Sequence, residues 1–137
     1  MKFFFLNKGN QKLGSSRIYI LNLSEQIKNL GYHVKISDTI SEGYEVYILS
    51  KSCNLDDVNT IKNFSNESLI GIVHPSDANI KLLNKLKKSD FFVTGSIEEQ
   101  DYYAQYNKNV FLFPQIENIE ILNKSHKEKK RIKIAYH

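Results

Sequence analysis

Short apolar runs recur along the chain at Phe3–Leu6, His33–Ile36, Val46–Leu49, Leu69–Val73, Phe91–Val93, Val110–Phe113 and Ile132–Tyr136. Stretches long enough for a helix separate most of them. Apolar runs alternating with helical segments predict a parallel sheet covered on both faces. The expected fold is α/β: a Rossmann-like three-layer sandwich with a mostly parallel central sheet of about six strands. The last run follows a basic spacer and makes a surplus C-terminal strand.

The predicted strands are Lys2–Leu6, His33–Ser37, Glu45–Leu49, Leu69–Val73, Asp90–Thr94 and Val110–Phe113. Ser15 or Ser16 caps a first helix that runs to about Leu30. Ile20, Leu23, Ile27 and Leu30 give it one buried stripe, and Gly31 stands where a helix end needs a left-handed residue. Asp56 or Asp57 starts a short helix toward Phe64. Pro75 stops the fourth strand, and Ser76 or Asp77 caps a helix over Ala78–Lys88. Gly95 and Ser96 turn the chain into a helix bearing Tyr102, Tyr103 and Tyr106. The organisation that follows is a Rossmann-like domain over 1–123 and a basic linker over 124–131. Residues 132–137 are either the start of a second domain or an extra strand.

Composition changes this picture little. At 137 residues, 41% hydrophobic and 25% charged, the chain is sized for one globular domain. No apolar stretch approaches the ~20 residues that span a bilayer. Phe3–Leu6 is too short for a signal-peptide core. The lone Cys53 allows no internal disulfide, and no Cys/His spacing suits zinc, so no metal site is expected. The cytoplasm is the default compartment.

Charge is more informative by its place than by its sum. Lys124, Lys127, Lys129, Lys130, Arg131 and Lys133 against Glu128 account for more than the whole net charge of +4. Basicity confined to one spacer reads as a solvated linker and argues against a nucleic-acid-binding face. Residues 124–131 of this run offer peripheral contact with an anionic membrane.

Ligands of open parallel sheets bind outside the carboxyl ends of the strands. That rule selects Gly9–Arg17, Asp38, Ser50–Cys53, His74–Asp77, Thr94–Glu99 and Pro114–Asn118. Gly9-x4-Gly14-Ser15-Ser16 nearly spells a phosphate-binding P-loop but lacks its lysine. Small residues opening a helix still present free N–H groups to an anion; turn-making and capping explain the same residues equally well. Asp38 is placed like a ribose-binding acid, yet the loop has no G-x-G-x-x-G. His74, beside Pro75 and a helix start, is the titratable residue best placed to accept a proton or orient a hydroxyl. The alternative is a histidine bonded to a loop carbonyl.

The order of these elements resembles the N-terminal domain of GT-B-fold glycosyltransferases. The matching stretches are Leu30-Gly31-Tyr32-His33-Val34, Glu45–Leu49, Gly71-Ile72-Val73-His74-Pro75, Lys88–Ser96 and Val110–Pro114. Arg131–His137 looks like the opening strand of the family's second domain. The resemblance implies an acceptor-side domain whose partner domain grips the nucleotide sugar. It places Gly14, Ser15 and Ser16 near donor phosphates and His74 in the acceptor pocket as the catalytic candidate. Ser76 and Ser96, at strand ends, join them as acceptor-binding or phosphate-contacting candidates. The first loop departs from the family in lacking an adjacent glycine pair. No cofactor is expected for this chain alone; the donor would require the missing C-terminal domain, and the chain alone would be inactive. A stand-alone Rossmann-like binding or interaction module is the other expectation.

Overall fold

A computed structural model describes residues 1–10, 14–75, 85 and 87–114. Its strands are β1 (Lys2–Leu6), β2 (His33–Ser37), β3 (Val46–Leu49), β4 (Leu69–Val73), β5 (Phe91–Thr94) and β6 (Val110–Leu112). They form one sheet in the order β2-β1-β3-β4-β5-β6. Every described pairing is parallel. The chain therefore folds as the expected α/β Rossmann-like sandwich. The helix predicted over Ala78–Lys88, Ser76 and everything from Gln115 on fall largely or wholly outside the described residues. So do the basic run 124–131 and the surplus strand.

Alternation along the strands builds a core on each face, because successive side chains point to opposite sides. Phe4, Leu6, Tyr47, Leu49, Ile70, Ile72 and Phe92 face one way, onto Val58 and Ile61 of helix α2 (Leu55–Phe64) and Tyr103 of helix α3 (Ile97–Ala104). Phe5, Val46, Ile48, Val73 and Val93 face the other way, onto Ile18, Tyr19 and Ile20.

Those three residues belong to helix α1, which is continuous through Gly14–Ser16, a π-helical stretch Arg17–Asn22 and Leu23–Asn29. The wider π turn turns three consecutive residues toward the sheet, which a 3.6-residue stripe cannot do. Ile20 is buried as expected, and Leu23 and Ile27 pack against the same core. Leu30 departs from the stripe: it is 74% exposed, because the helix has already ended there in a non-helical cap. Gly31 follows at φ 87°, the left-handed turn its position predicts. The start of α2 also differs from expectation. Its cap is Asn54, whose side chain accepts from Asp57 N at 3.1 Å while the Asp57 carboxylate accepts from Asn54 N at 2.8 Å. This reciprocal box satisfies two orphan donors at once.

Candidate functional site

The strand order reverses direction between β1 and β3, where the chain leaves one side of β1 for β2 and then crosses to the other. Such a switch point opens a crevice beyond the strand ends. In this protein the crevice is a small cleft lined by Ser15, Ser16, Ile20, Ser50, Lys51, Ser52, Val73 and His74. Its volume is about 10 Å³, room for about one water.

Asn7 sits behind it, first residue past β1 and 4% exposed. Its backbone N–H continues the ladder to Ser37 O at 2.9 Å. Its Oδ1 accepts from Gly9 N at 3.3 Å and Ser16 Oγ at 3.5 Å. Its Nδ2 is buried with no hydrogen-bond partner among the described residues. Gly9 approaches this loop closely: a Cβ on it would lie 2.8 Å from Ser52 Oγ, so that hydroxyl would have to turn away. Lys8, just before the incomplete P-loop pattern, turns aside. Its Nζ donates to Asp57 at 2.6 Å, and that bond raises the ammonium's pKa above its ordinary value.

The opposite wall comes from the loop after β3. Ser50 N donates to Leu6 O at 3.0 Å, and Cys53 N closes the turn on Ser50 O at 3.0 Å. From beneath, Lys85 Nζ donates to Cys53 O at 2.7 Å and Lys51 O at 3.4 Å. Lys85 is 3% exposed, and burial lowers its pKa. Burial pushes the Cys53 thiol up, so it stays protonated and serves packing rather than attack.

His74 closes the cleft from β4. It is the one non-glycine residue at positive φ, 45°, among the described residues. Its N–H donates to Val93 O at 2.7 Å. Its ring stacks on Tyr19 with centroids 5.0 Å apart and planes 6° apart. Nδ1 is buried and faces Glu99 Oε1 at 3.4 Å, without the alignment of a hydrogen bond.

The structure thus brings Ser15, Ser16 and His74 to one cleft, with Gly14 opening the helix beside them. Ser15 and Ser16 lie inside the first turn rather than capping it, and Ser16 reaches back to Asn7. Ser96 does not line the cleft; it caps α3 by accepting from Glu99 N at 3.2 Å. Ser76 lies outside the described residues. Asn7, Lys51 and Glu99 were not singled out from sequence, although Lys51 and Glu99 stand in loops that the strand-end rule selects.

No protein-family model, characterised protein or solved structure matches this chain. Among the described residues no group of three His, Cys, Asp or Glu side chains could hold a metal ion. No helix among them is long and apolar enough to cross a membrane.

Proposed function

We propose that this chain is the acceptor-side domain of a GT-B-fold glycosyltransferase, which moves a sugar from a nucleotide-sugar donor to an acceptor. The order of sequence motifs resembles that of the family. The observation that carries the reading is the cleft at the β1/β3 crevice. There the start of α1 and the Ser50–Ser52 loop, which includes Lys51, line one small cleft beside a histidine, and Asn7, bonded to Ser16 behind it, buries an Nδ2 with no partner among the described residues. Free N–H groups, an amide donor and a cation suit phosphate or sugar oxygens.

In this reading Gly14, Ser15 and Ser16 receive phosphate oxygens of a donor held mainly by a second domain. His74 meets the acceptor hydroxyl. As that oxygen bonds to the anomeric carbon, the bond from that carbon to the diphosphate breaks. The nucleoside diphosphate departs with the bonding pair, and His74 takes the hydroxyl proton. Half the cleft contributes little alone, because transfer requires both reactants held in line. The basic run 124–131 would serve as a surface contact for lipid-borne acceptors.

Joining the chain through His137 to a donor-binding domain and measuring sugar transfer tests this. The expected result is transfer that falls at least about 100-fold in His74→Ala, with nucleotide-sugar binding retained. A joined protein that binds no nucleotide sugar overturns the reading.

A further inference from the structure

We infer that Glu99 is a positioning residue for His74, fixing which imidazole nitrogen carries the proton. The inference rests on the cleft being the ligand site, but its geometry stands apart from any particular substrate.

Three restraints converge on one ring. The backbone at His74 is held at φ 45° by the bond from its N–H to Val93 O. Backbone in that region is costly for a residue with a Cβ and persists only where its surroundings enforce it. Tyr19, turned inward by the π-helical stretch of α1, lies flat against the imidazole. Glu99 then meets the ring edge, with Oε1 3.4 Å from Nδ1. Tyr103, one helical turn past Glu99, donates its hydroxyl to Pro75 O, which ties α3 to the residue after His74.

Glu99 is itself held. It stands three residues after the cap Ser96, its N–H donates to Ser96 Oγ, and its Oε2 accepts from Gly95 N at 2.9 Å. One carboxylate oxygen is therefore committed to the helix start and the other is presented to His74. Nδ1 is buried and has no hydrogen-bond partner among the described residues. A proton on Nδ1 can be shared with Oε1, and such contacts shorten when a site closes on its ligand. With Nδ1–H turned to the carboxylate, Nε2 is the nitrogen left as an acceptor. That is the state required of a group that takes a proton from a hydroxyl. A carboxylate can serve both donors; a glutamine in its place has one oxygen and can serve only one.

The test is the tautomer of His74, read by long-range ¹H–¹⁵N spectra of the ¹⁵N-labelled 137-residue chain at a pH where the ring is neutral. Wild type should show the Nδ1–H form in at least about tenfold excess, as expected for a hydrogen bond to a carboxylate. In Glu99→Gln, whose oxygen stays with Gly95 N, the amide NH₂ faces Nδ1 and the Nε2–H form should predominate. Glu99→Asp, too short to span both partners, should lose most of the excess. A wild-type spectrum dominated by Nε2–H overturns the inference, and this needs no variant to fold. An unchanged tautomer ratio in Glu99→Gln overturns it as well. Because no sugar or nucleotide is present, the result is separate from whether the joined protein transfers sugar.

Discussion

The two ends of the sheet differ in how they spend their polar groups. At the amino end, Phe3, Val46, Leu69, Phe91 and Phe111 line a groove of about 410 Å³, with Asp90 and Asn109 at its side. Both polar residues are occupied. Asp90 Oδ2 accepts from Ile70 N at 2.7 Å and Lys62 Nζ at 3.1 Å, and Asn109 Nδ2 donates to Asp90 O at 3.1 Å. At the carboxyl end the cleft is far smaller, yet Asn7 Nδ2 and His74 Nδ1 are buried there without hydrogen-bond partners among the described residues. Size alone would select the amino end. Unspent hydrogen-bonding capacity selects the carboxyl end, and that criterion carries more weight because an unsatisfied buried polar group costs stability that a ligand can return.

One strand joins the two ends. Phe3 and Phe5 are on the same face of β1, at opposite ends, and belong to the same core. Phe5 is fully buried, whereas Phe3 lines the groove and is only partly covered. Phe5→Ala should destabilise by about 3–5 kcal/mol, the range for emptying a closed core site. Phe3→Ala should cost less than half as much, because its site is already partly hydrated. Urea unfolding of both variants reads the difference. Equal losses would mean that the amino-end groove is as well packed as the core and is no groove at all.

How much of this could be read from sequence depended on whether a feature is local. β1, β2 and β4 begin and end where alternation and Pro75 predict, since strand propensity and a stop residue act over a few positions. Gly31 was legible for the same reason. The π turn of α1 was not: a helix adopts it when packing favours three adjacent inward residues, and that preference lives in the sheet opposite. Asn54 stands three residues before Asp57, the spacing of a cap, so the sequence carries that signal one turn ahead of the aspartates. Ser96 and Glu99 likewise have capping-box spacing. That Glu99 also reaches His74 follows from β4 pairing β5, a contact no local pattern encodes. Lys85 reads as a surface lysine, and only its two carbonyl partners explain its burial.

Lys85 gives a second, smaller test, one that sharpens the view of the carboxyl end as electrostatically strained. Burial lowers its ammonium below the ordinary 10.5. Between that folded value and 10.5 the unfolded chain binds the extra proton, so stability rises with pH across this window. Below the window the cost is present in full. Cys53 acts in the opposite sense: its thiol lies above the ordinary 9.0 in the folded protein, so above 9.0 its burial removes stability as pH rises. Comparing Lys85 with Lys85→Met in a Cys53→Ala background isolates the lysine. The stability of the lysine form relative to the methionine form should climb by up to about 1.4 kcal/mol per pH unit. A flat difference from pH 7 to 10.5 would show that Lys85 is solvated in the folded protein.

The smallest effect belongs to the amino end. Phe111 sits on β6, the edge strand among the described residues, 57% exposed, its ring 5.9 Å from that of Phe91 at an interplanar angle of 73°. Removing a half-exposed ring forfeits one edge-to-face contact and some partly hydrated surface, and relieves an apolar edge that invites pairing with another chain. Phe111→Ser should therefore change unfolding stability by no more than about 0.5 kcal/mol. If the variant instead loses about 2 kcal/mol or more, on the scale of a buried side chain, Phe111 is packed against chain beyond the described residues. The amino-end groove would then be a covered part of the core, and the contrast between the two ends would rest on the unpartnered atoms of the carboxyl end alone.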